Sequence, residues 1–165
     1  MQAIQQLLDY LKREHLLLAT AESCTAGMIV ALLAECPSSG ECLDAGHVVY
    51  SPAAKKRLLG VSQETLDTFN LTSEEIAREM AIGALRDSPA NVAIATTGIV
   101  GPEEHDGIEP GTVCFAWAFR HAGRLQLFSS TERFLGDRPR VLREASRHAL
   151  LRVPHWHAQL LAGAG

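Results

Sequence analysis

Residues 16–36 read Leu-Leu-Leu-Ala-Thr-Ala-Glu-Ser-Cys-Thr-Ala-Gly-Met-Ile-Val-Ala-Leu-Leu-Ala-Glu-Cys. An apolar run from Leu16 to Ala19 gives way to the polar and small residues Glu22 to Gly27. Met28, Ile29, Leu32, Leu33 and Cys36 then recur at helical spacing. The pattern predicts a short buried strand at about 16–20, a junction, and an amphipathic helix that Pro37-Ser38-Ser39-Gly40 ends in a turn. A strand feeding a helix in this way is the opening unit of an α/β fold.

The flanks repeat the alternation. Ile4, Leu7, Leu8 and Leu11 predict a helix over about 2–14, and His47-Val48-Val49-Tyr50 predicts a strand. Ser51-Pro52 starts a short helix to Leu59, because proline at the first helical position lacks only an N–H that has no helical partner there. Thr72-Ser73-Glu74-Glu75 matches the S/T-x-x-E capping box of a longer helix rich in small residues, which should pack closely on a sheet. Val92 to Thr96 reads as a strand covered on both faces, and residues 98–111 as a loop punctuated by glycine and proline.

Val113, Phe115, Trp117 and Phe119 share one face of the next strand, suited to a helix layer or to a subunit interface. His121-Ala122-Gly123 turns the chain into a partner strand with Leu125 and Leu127, and a last helix is expected from about Asp137 to Leu151. These elements predict an α/β protein, a three-layer α/β/α sandwich with a mixed parallel and antiparallel sheet. One domain accounts for 1–165, with an ordered core at about 2–152 and a loose tail after Pro154, apart from whatever Trp156 covers.

Composition narrows the function. The 165 residues are 47% hydrophobic and 21% charged with a net charge of −4, so the basic footprint of a nucleic-acid binder is missing. No run approaches the roughly 18 apolar residues of a membrane span, and Met1 to Gln6 does not resemble a secretion signal. A cytoplasmic protein with no membrane partner is expected. Cys24, Cys36, Cys42 and Cys114 lack C-x-x-C spacing and read as reduced, mostly buried thiols.

Ser23 or Thr25, before an amphipathic helix, reads on its own as an N-cap. The same geometry also presents an oxygen nucleophile beside backbone N–H donors able to hold an oxyanion. Serine needs a base, and lysine serves where no histidine is at hand. Lys55 and Lys56 are candidates; they point about 100° apart on one helix, so one can face a site while the other is solvated. Tyr50 suits the core or rim, a proton relay, or stacking on a ring.

Thr97-Gly98 opens a glycine loop at the end of a strand, where open α/β sheets bind ligands. Arg138, Arg140, Arg143 and Arg147 offer guanidinium groups to an anion or to solvent. Glu103 to Asp106 reads as a solvated polar loop rather than a metal site, and His155 and His157 as tail.

Taken together, the motifs "TAESCTAG" at 20–27, "VVYSPAAKKRLLGV" at 48–61, "TSEEIAREMAIGAL" at 72–85, "TTGIVGP" at 96–102, "PGTV" at 110–113 and "RFLGDR" at 133–138 resemble the CinA C-terminal domain family. That family includes bacterial nicotinamide-mononucleotide deamidases. The resemblance implies hydrolysis of the carboxamide of nicotinamide mononucleotide to nicotinic acid mononucleotide and ammonia, without metal or cofactor. It places the catalytic serine, tyrosine and lysine on Ser23, Tyr50 and Lys55.

Substrate contacts are expected from Cys24, Thr25, Ala26, Gly27, Thr97, Gly98 and Arg138, in a homo-oligomer taken as a dimer. Three departures stand out. Ala26 replaces a glycine of the family's "SCTGG", which a negative φ would accommodate. Glu103-Glu104-His105-Asp106-Gly107 and Ile108-Glu109-Pro110 replace a glycine-rich segment and a lysine-proline pair, and carboxylates there would repel a phosphate unless they face solvent. Leu142 stands where arginine is common. The competing readings are a silent homologue that binds a nucleotide or partner without turnover, and an enzyme whose nucleophile is Cys24.

Overall fold

The computed structural model describes residues 2–163. Its elements in chain order are α1 (Gln2–Arg13), β1 (Leu18–Glu22), α2 (Met28–Ala34), β2 (Leu43–Val48), α3 (Pro52–Leu59), α4 (Gln63–Thr68), α5 (Glu74–Arg86), β3 (Val92–Gly98), β4 (Thr112–His121), β5 (Arg124–Arg133), α6 (Arg138–Leu151) and α7 (Val153–Gly163). The strands form one sheet in the order β2-β1-β3-β4-β5. β1 runs parallel to β2 and β3, and the pairs β3–β4 and β4–β5 are antiparallel, giving the mixed sheet expected.

The two faces of the sheet are unlike. One carries Ala19, Ala21, Ala93, Ala95, Ala116 and Ala118, against which α5 sets Ala77, Met80, Ala81 and Ala84. Small residues on both sides let the helix lie close. At Gly83 an added Cβ would stand 2.0 Å from the Leu59 carbonyl oxygen, so α5 touches the end of α3 backbone to backbone.

The other face carries Leu18, Ile94, Phe115, Trp117 and Phe119 beneath α1, α2, α6 and α7. The aromatic stripe of β4 therefore covers a helix layer, and Trp117 Nε1 satisfies its polarity by donating to the Ala149 carbonyl at 2.9 Å.

Several elements differ from expectation. The edge strand β2 begins at Leu43, earlier than the predicted 47–50, and Tyr50 lies beyond its end. Asp44 and Gly46 weaken its strand signal, but an added Cβ at Gly46 would stand 2.6 Å from Val30 Cγ2, so α2 requires the gap. The cap of α5 is Ser73, not Thr72: Ser73 Oγ accepts from Ile76 N–H at 3.3 Å, while Thr72 N–H donates to Asn70 Oδ1 at 2.9 Å and stays outside the helix.

Residues 155–163 are not loose. Pro154 sits in the first turn of α7, where its missing N–H does no harm, and ends α6 instead of the fold. Trp156 stacks on Phe128 with ring centroids 4.9 Å apart, and a 2.8 Å hydrogen bond joins Tyr10 Oη to the buried His157 Nδ1.

Candidate active site

The parallel strands deliver their carboxyl ends to one edge of the sheet, the place where α/β folds bind ligands. β1 ends at Glu22, and the ladder persists one step further: Val49 N–H donates to the Glu22 carbonyl at 2.8 Å, and Ser23 N–H donates to the Thr96 carbonyl at 3.0 Å. Ser23 is thus held by β3 as well as by its own strand.

The chain then turns sharply. Ala26 and Gly27 have φ of 55° and 90°, two successive left-handed residues that aim the chain into α2. Ala26 does not take the negative φ that would make its methyl harmless. A left-handed alanine costs about 1–2 kcal/mol, which the surrounding hydrogen bonds must offset.

Neither Ser23 nor Thr25 is the helix cap. Gly27 occupies that position and has no side chain to offer. The start of α2 is satisfied instead by the wholly buried Glu22, whose carboxylate accepts from the N–H groups of Gly27 at 2.9 Å, Ile29 at 3.1 Å and Val30 at 3.3 Å. Sequence reasoning missed this residue. The available signal was a lone carboxylate closing an otherwise apolar strand, since charge is rarely buried without partners.

Lys55 is the group opposite Ser23. Ser51 caps α3 by accepting from Ala54 N–H at 3.0 Å, as its sequence predicts, and this sets the rotation of the helix. Lys55 then points inward at 1% exposure while Lys56 reaches Gln63 on the surface. Lys55 Nζ lies 2.9 Å from Ser23 Oγ, 3.1 Å from the Val49 carbonyl and 2.9 Å from the Tyr50 carbonyl. Burial pushes its pKa below the ordinary lysine value.

Those three neighbours define what the amine can do. A neutral amine has two protons and one lone pair, and carbonyl oxygens can only accept. In that neutral form, protons directed at the Val49 and Tyr50 carbonyls would leave the lone pair for the hydroxyl of Ser23. The arrangement is that of a nucleophile and a base within transfer distance.

The remaining expected residues are distributed as follows. Tyr50 contributes its backbone carbonyl to Lys55, while the residue as a whole is 57% exposed. Thr97 Oγ1 donates to the Leu71 carbonyl at 2.7 Å, anchoring the segment before α5. Gly98 is required by β4, because an added Cβ would lie 2.5 Å from the Thr112 carbonyl oxygen. The Arg138 guanidinium lies over Gly101, 3.5 Å from where a Cβ would be, and so reaches the loop that leaves β3.

That loop turns its acidic residues outward. Asp106 and Gly107, with φ of 53° and 76°, form the turn of a small hairpin in which His105 and Ile108 exchange backbone hydrogen bonds. Glu103 through Asp106 are exposed, and Glu109 pairs with Arg133 at 2.9 Å. Among the described residues, no cluster of three or more His, Cys, Asp or Glu side chains is placed to hold a metal.

The Cys24 thiol is not among the hydrogen-bond partners of Lys55. It is buried in the core under α2, and burial pushes its thiol up to about 12, leaving it protonated at neutral pH. Among the described residues, the N–H groups of Cys24 and Thr25 have no hydrogen-bond acceptor within the chain, in contrast to those of Ser23, Ala26, Gly27 and Met28.

Known proteins share this architecture. The crystal structure of the competence damage-inducible protein A (ComA) from Klebsiella pneumoniae matches with a TM-score of 0.89 at 36% identity, covering 95% of this chain and 96% of that one. The nicotinamide-nucleotide amidohydrolase PncC of Escherichia coli K12 is 38% identical over 151 residues, which is 91% of this chain and 90% of its own length. A CinA-like protein of Chlorobium phaeobacteroides is 43% identical over 131 residues, 78% of this chain, yet the chain spans only 31% of that relative's length. The CinA C-terminal domain matches residues 1–156, and with relatives of its own size alike throughout, the chain belongs to the CinA C-terminal domain family.

Proposed function

We propose that this protein hydrolyses the carboxamide of a nicotinamide nucleotide, nicotinamide mononucleotide in the first instance, releasing ammonia and the corresponding carboxylic acid. The observation that carries this reading is the buried Lys55 amine, held by the Val49 and Tyr50 carbonyls with Nζ 2.9 Å from Ser23 Oγ. The likeness to the Escherichia coli amidohydrolase along nearly the whole chain supports the choice of substrate.

Neutral Lys55 takes the Ser23 proton as Oγ adds to the carboxamide carbon, and the carbonyl oxygen becomes an oxyanion held by the Cys24 and Thr25 N–H groups. Lys55 then gives its proton to the leaving nitrogen, ammonia departs, and an ester on Ser23 remains. Water adds to that ester with Lys55 again as base, and collapse returns the proton to Ser23 as the acid leaves.

Tyr50, which meets Lys55 through its backbone carbonyl and not its hydroxyl, offers its exposed ring as a platform for the pyridine. Arg138 and the loop beyond Thr97 and Gly98 receive the phosphate, with Ala26 and Gly27 lining the approach. The protein acts in the cytoplasm as a homo-oligomer.

Purified protein incubated with nicotinamide mononucleotide should release ammonia in step with nicotinic acid mononucleotide. Mononucleotide binding without release of either product would overturn this reading in favour of a silent binding protein.

A further inference from the structure

Glu22 takes no part in the chemical steps above, yet it is the most heavily hydrogen-bonded side chain around the nucleophile. Oε2 accepts from the Thr25 hydroxyl at 2.7 Å and from the N–H groups of Gly27 and Ile29 at 2.9 and 3.1 Å. Oε1 accepts from Val30 N–H at 3.3 Å and the Thr20 hydroxyl at 3.4 Å. The carboxylate therefore reaches across Ser23 and Cys24, from the strand before them to the helix after them, and closes residues 22–27 into a ring.

The ring has a fixed sense. A carboxylate only accepts, so Thr25 must direct its proton at Glu22, and the 2.7 Å contact between the Thr25 and Thr96 hydroxyls is then donated by Thr96. The order Thr96 to Thr25 to Glu22 ties the turn to β3 as well as to α2. It also uses up the Gly27, Ile29 and Val30 N–H groups, whereas those of Cys24 and Thr25 donate to no other residue among the described ones.

We infer that Glu22 is a positioning residue for the reaction: it sets where Ser23 Oγ stands relative to Lys55 Nζ and which backbone N–H groups remain for an oxyanion. The inference rests on the Ser23–Lys55 reading above but not on the identity of the substrate. It differs from simple helix capping, because a cap contributes to stability alone, whereas this carboxylate contributes to the reactivity of a neighbour it does not touch.

Glu22→Gln is the direct test in the full chain. The amide oxygen can replace Oε2 toward Thr25, Gly27 and Ile29, but the amide nitrogen then opposes the Val30 N–H, so the turn is retained and loosened. The readouts are the rate at which a fluorophosphonate labels Ser23, kcat and KM for nicotinamide mononucleotide, and the melting temperature.

Well below melting, labelling rate and kcat should fall together by about 10–100-fold with KM little changed, as expected for a misplaced nucleophile. A lowered melting temperature with labelling rate and kcat at wild-type levels would overturn the inference and leave Glu22 a cap. If Glu22→Gln does not fold, Thr25→Val removes only the hydroxyl links and should give a smaller fall in the same direction; no fall would overturn the inference.

Wild-type protein that is labelled at Ser23 but does not hydrolyse the mononucleotide would refute the substrate alone, and the labelling comparison would still decide the role of Glu22. Failure of wild-type protein to be labelled at Ser23 would overturn the inference together with the dyad.

Discussion

Lys55 Nζ and Ser23 Oγ, 32 residues apart in sequence, stand 2.9 Å apart with no carboxylate paired to the amine among the described residues. Groups that act as one unit are not additive when removed. Ser23→Ala and Lys55→Met should each lower kcat by about 10³-fold or more, and the double variant should lose little beyond either alone. Cys24→Ala should retain near wild-type turnover. Steady-state ammonia release checks all four; loss of activity in Cys24→Ala with Ser23→Ala still active would transfer the role of nucleophile to the thiol.

The lowered pKa of Lys55 has two consequences of the same sign. The base must be neutral, so kcat/KM should rise with pH through that pKa and level off above it, with a unit slope on the acid side. In the unfolded chain the amine titrates near its ordinary 10.5 and holds its proton where the folded form has lost it. Wild-type stability should therefore gain on that of Lys55→Met as pH rises from the folded pKa toward 10.5, measured by denaturant unfolding across that window. A difference between the two proteins that does not change with pH would show that Lys55 is not shifted.

Ala26 holds a left-handed conformation that glycine adopts freely. Ala26→Gly should stabilise the fold by about 1 kcal/mol, less the entropy glycine returns to the unfolded chain, for a rise of about 2–3 °C in melting temperature. Calorimetry checks it, and a fall in melting temperature would mean that the turn carries no strain at this position.

A ring at the rim and a relay in the pathway respond differently to loss of the Tyr50 hydroxyl. Tyr50→Phe should keep kcat close to wild type, while Tyr50→Ala should raise KM by about tenfold through loss of stacking. A large fall in kcat for Tyr50→Phe would restore the phenol to the proton path.

Ending the chain after Arg152 removes α7 and uncovers Trp117, Phe119 and Phe128. The truncated protein should lose about 3 kcal/mol or more, comparable to deleting a large buried side chain, and melt well below the full chain. An unchanged melting temperature would make α7 an ornament to the fold.

The strand, turn and helix of residues 16–36 were legible because three local signals agree: a continuous apolar run, a cluster of small polar residues, and a change of period. Ser51-Pro52 announced α3 for the same reason. Spacing could not choose between Lys55 and Lys56, because both helical directions are open until the sheet supplies an inside. Glu22 was visible but mute, since its partners are mostly backbone N–H groups, which sequence does not distinguish.

The six-residue α4 is too short to show a period, and Pro154 reads as an end when it also suits a beginning. Ala26 is the reverse case. Its departure from glycine was plain in the sequence, but the sign of its φ, which decides what the methyl costs, is a property of the folded turn.

The alanine face of the sheet also determines how this protein can change over generations. α5 lies so close that Gly83 meets the backbone of Leu59, four residues beyond Lys55 on the same short helix. A single added methyl at Gly83, or a larger side chain at Ala81 or Ala95, must lift α5 from the sheet or push α3 aside. Inheritance is thus constrained far from the chemistry, and drift on the large aromatic face is cheaper than drift on the small one.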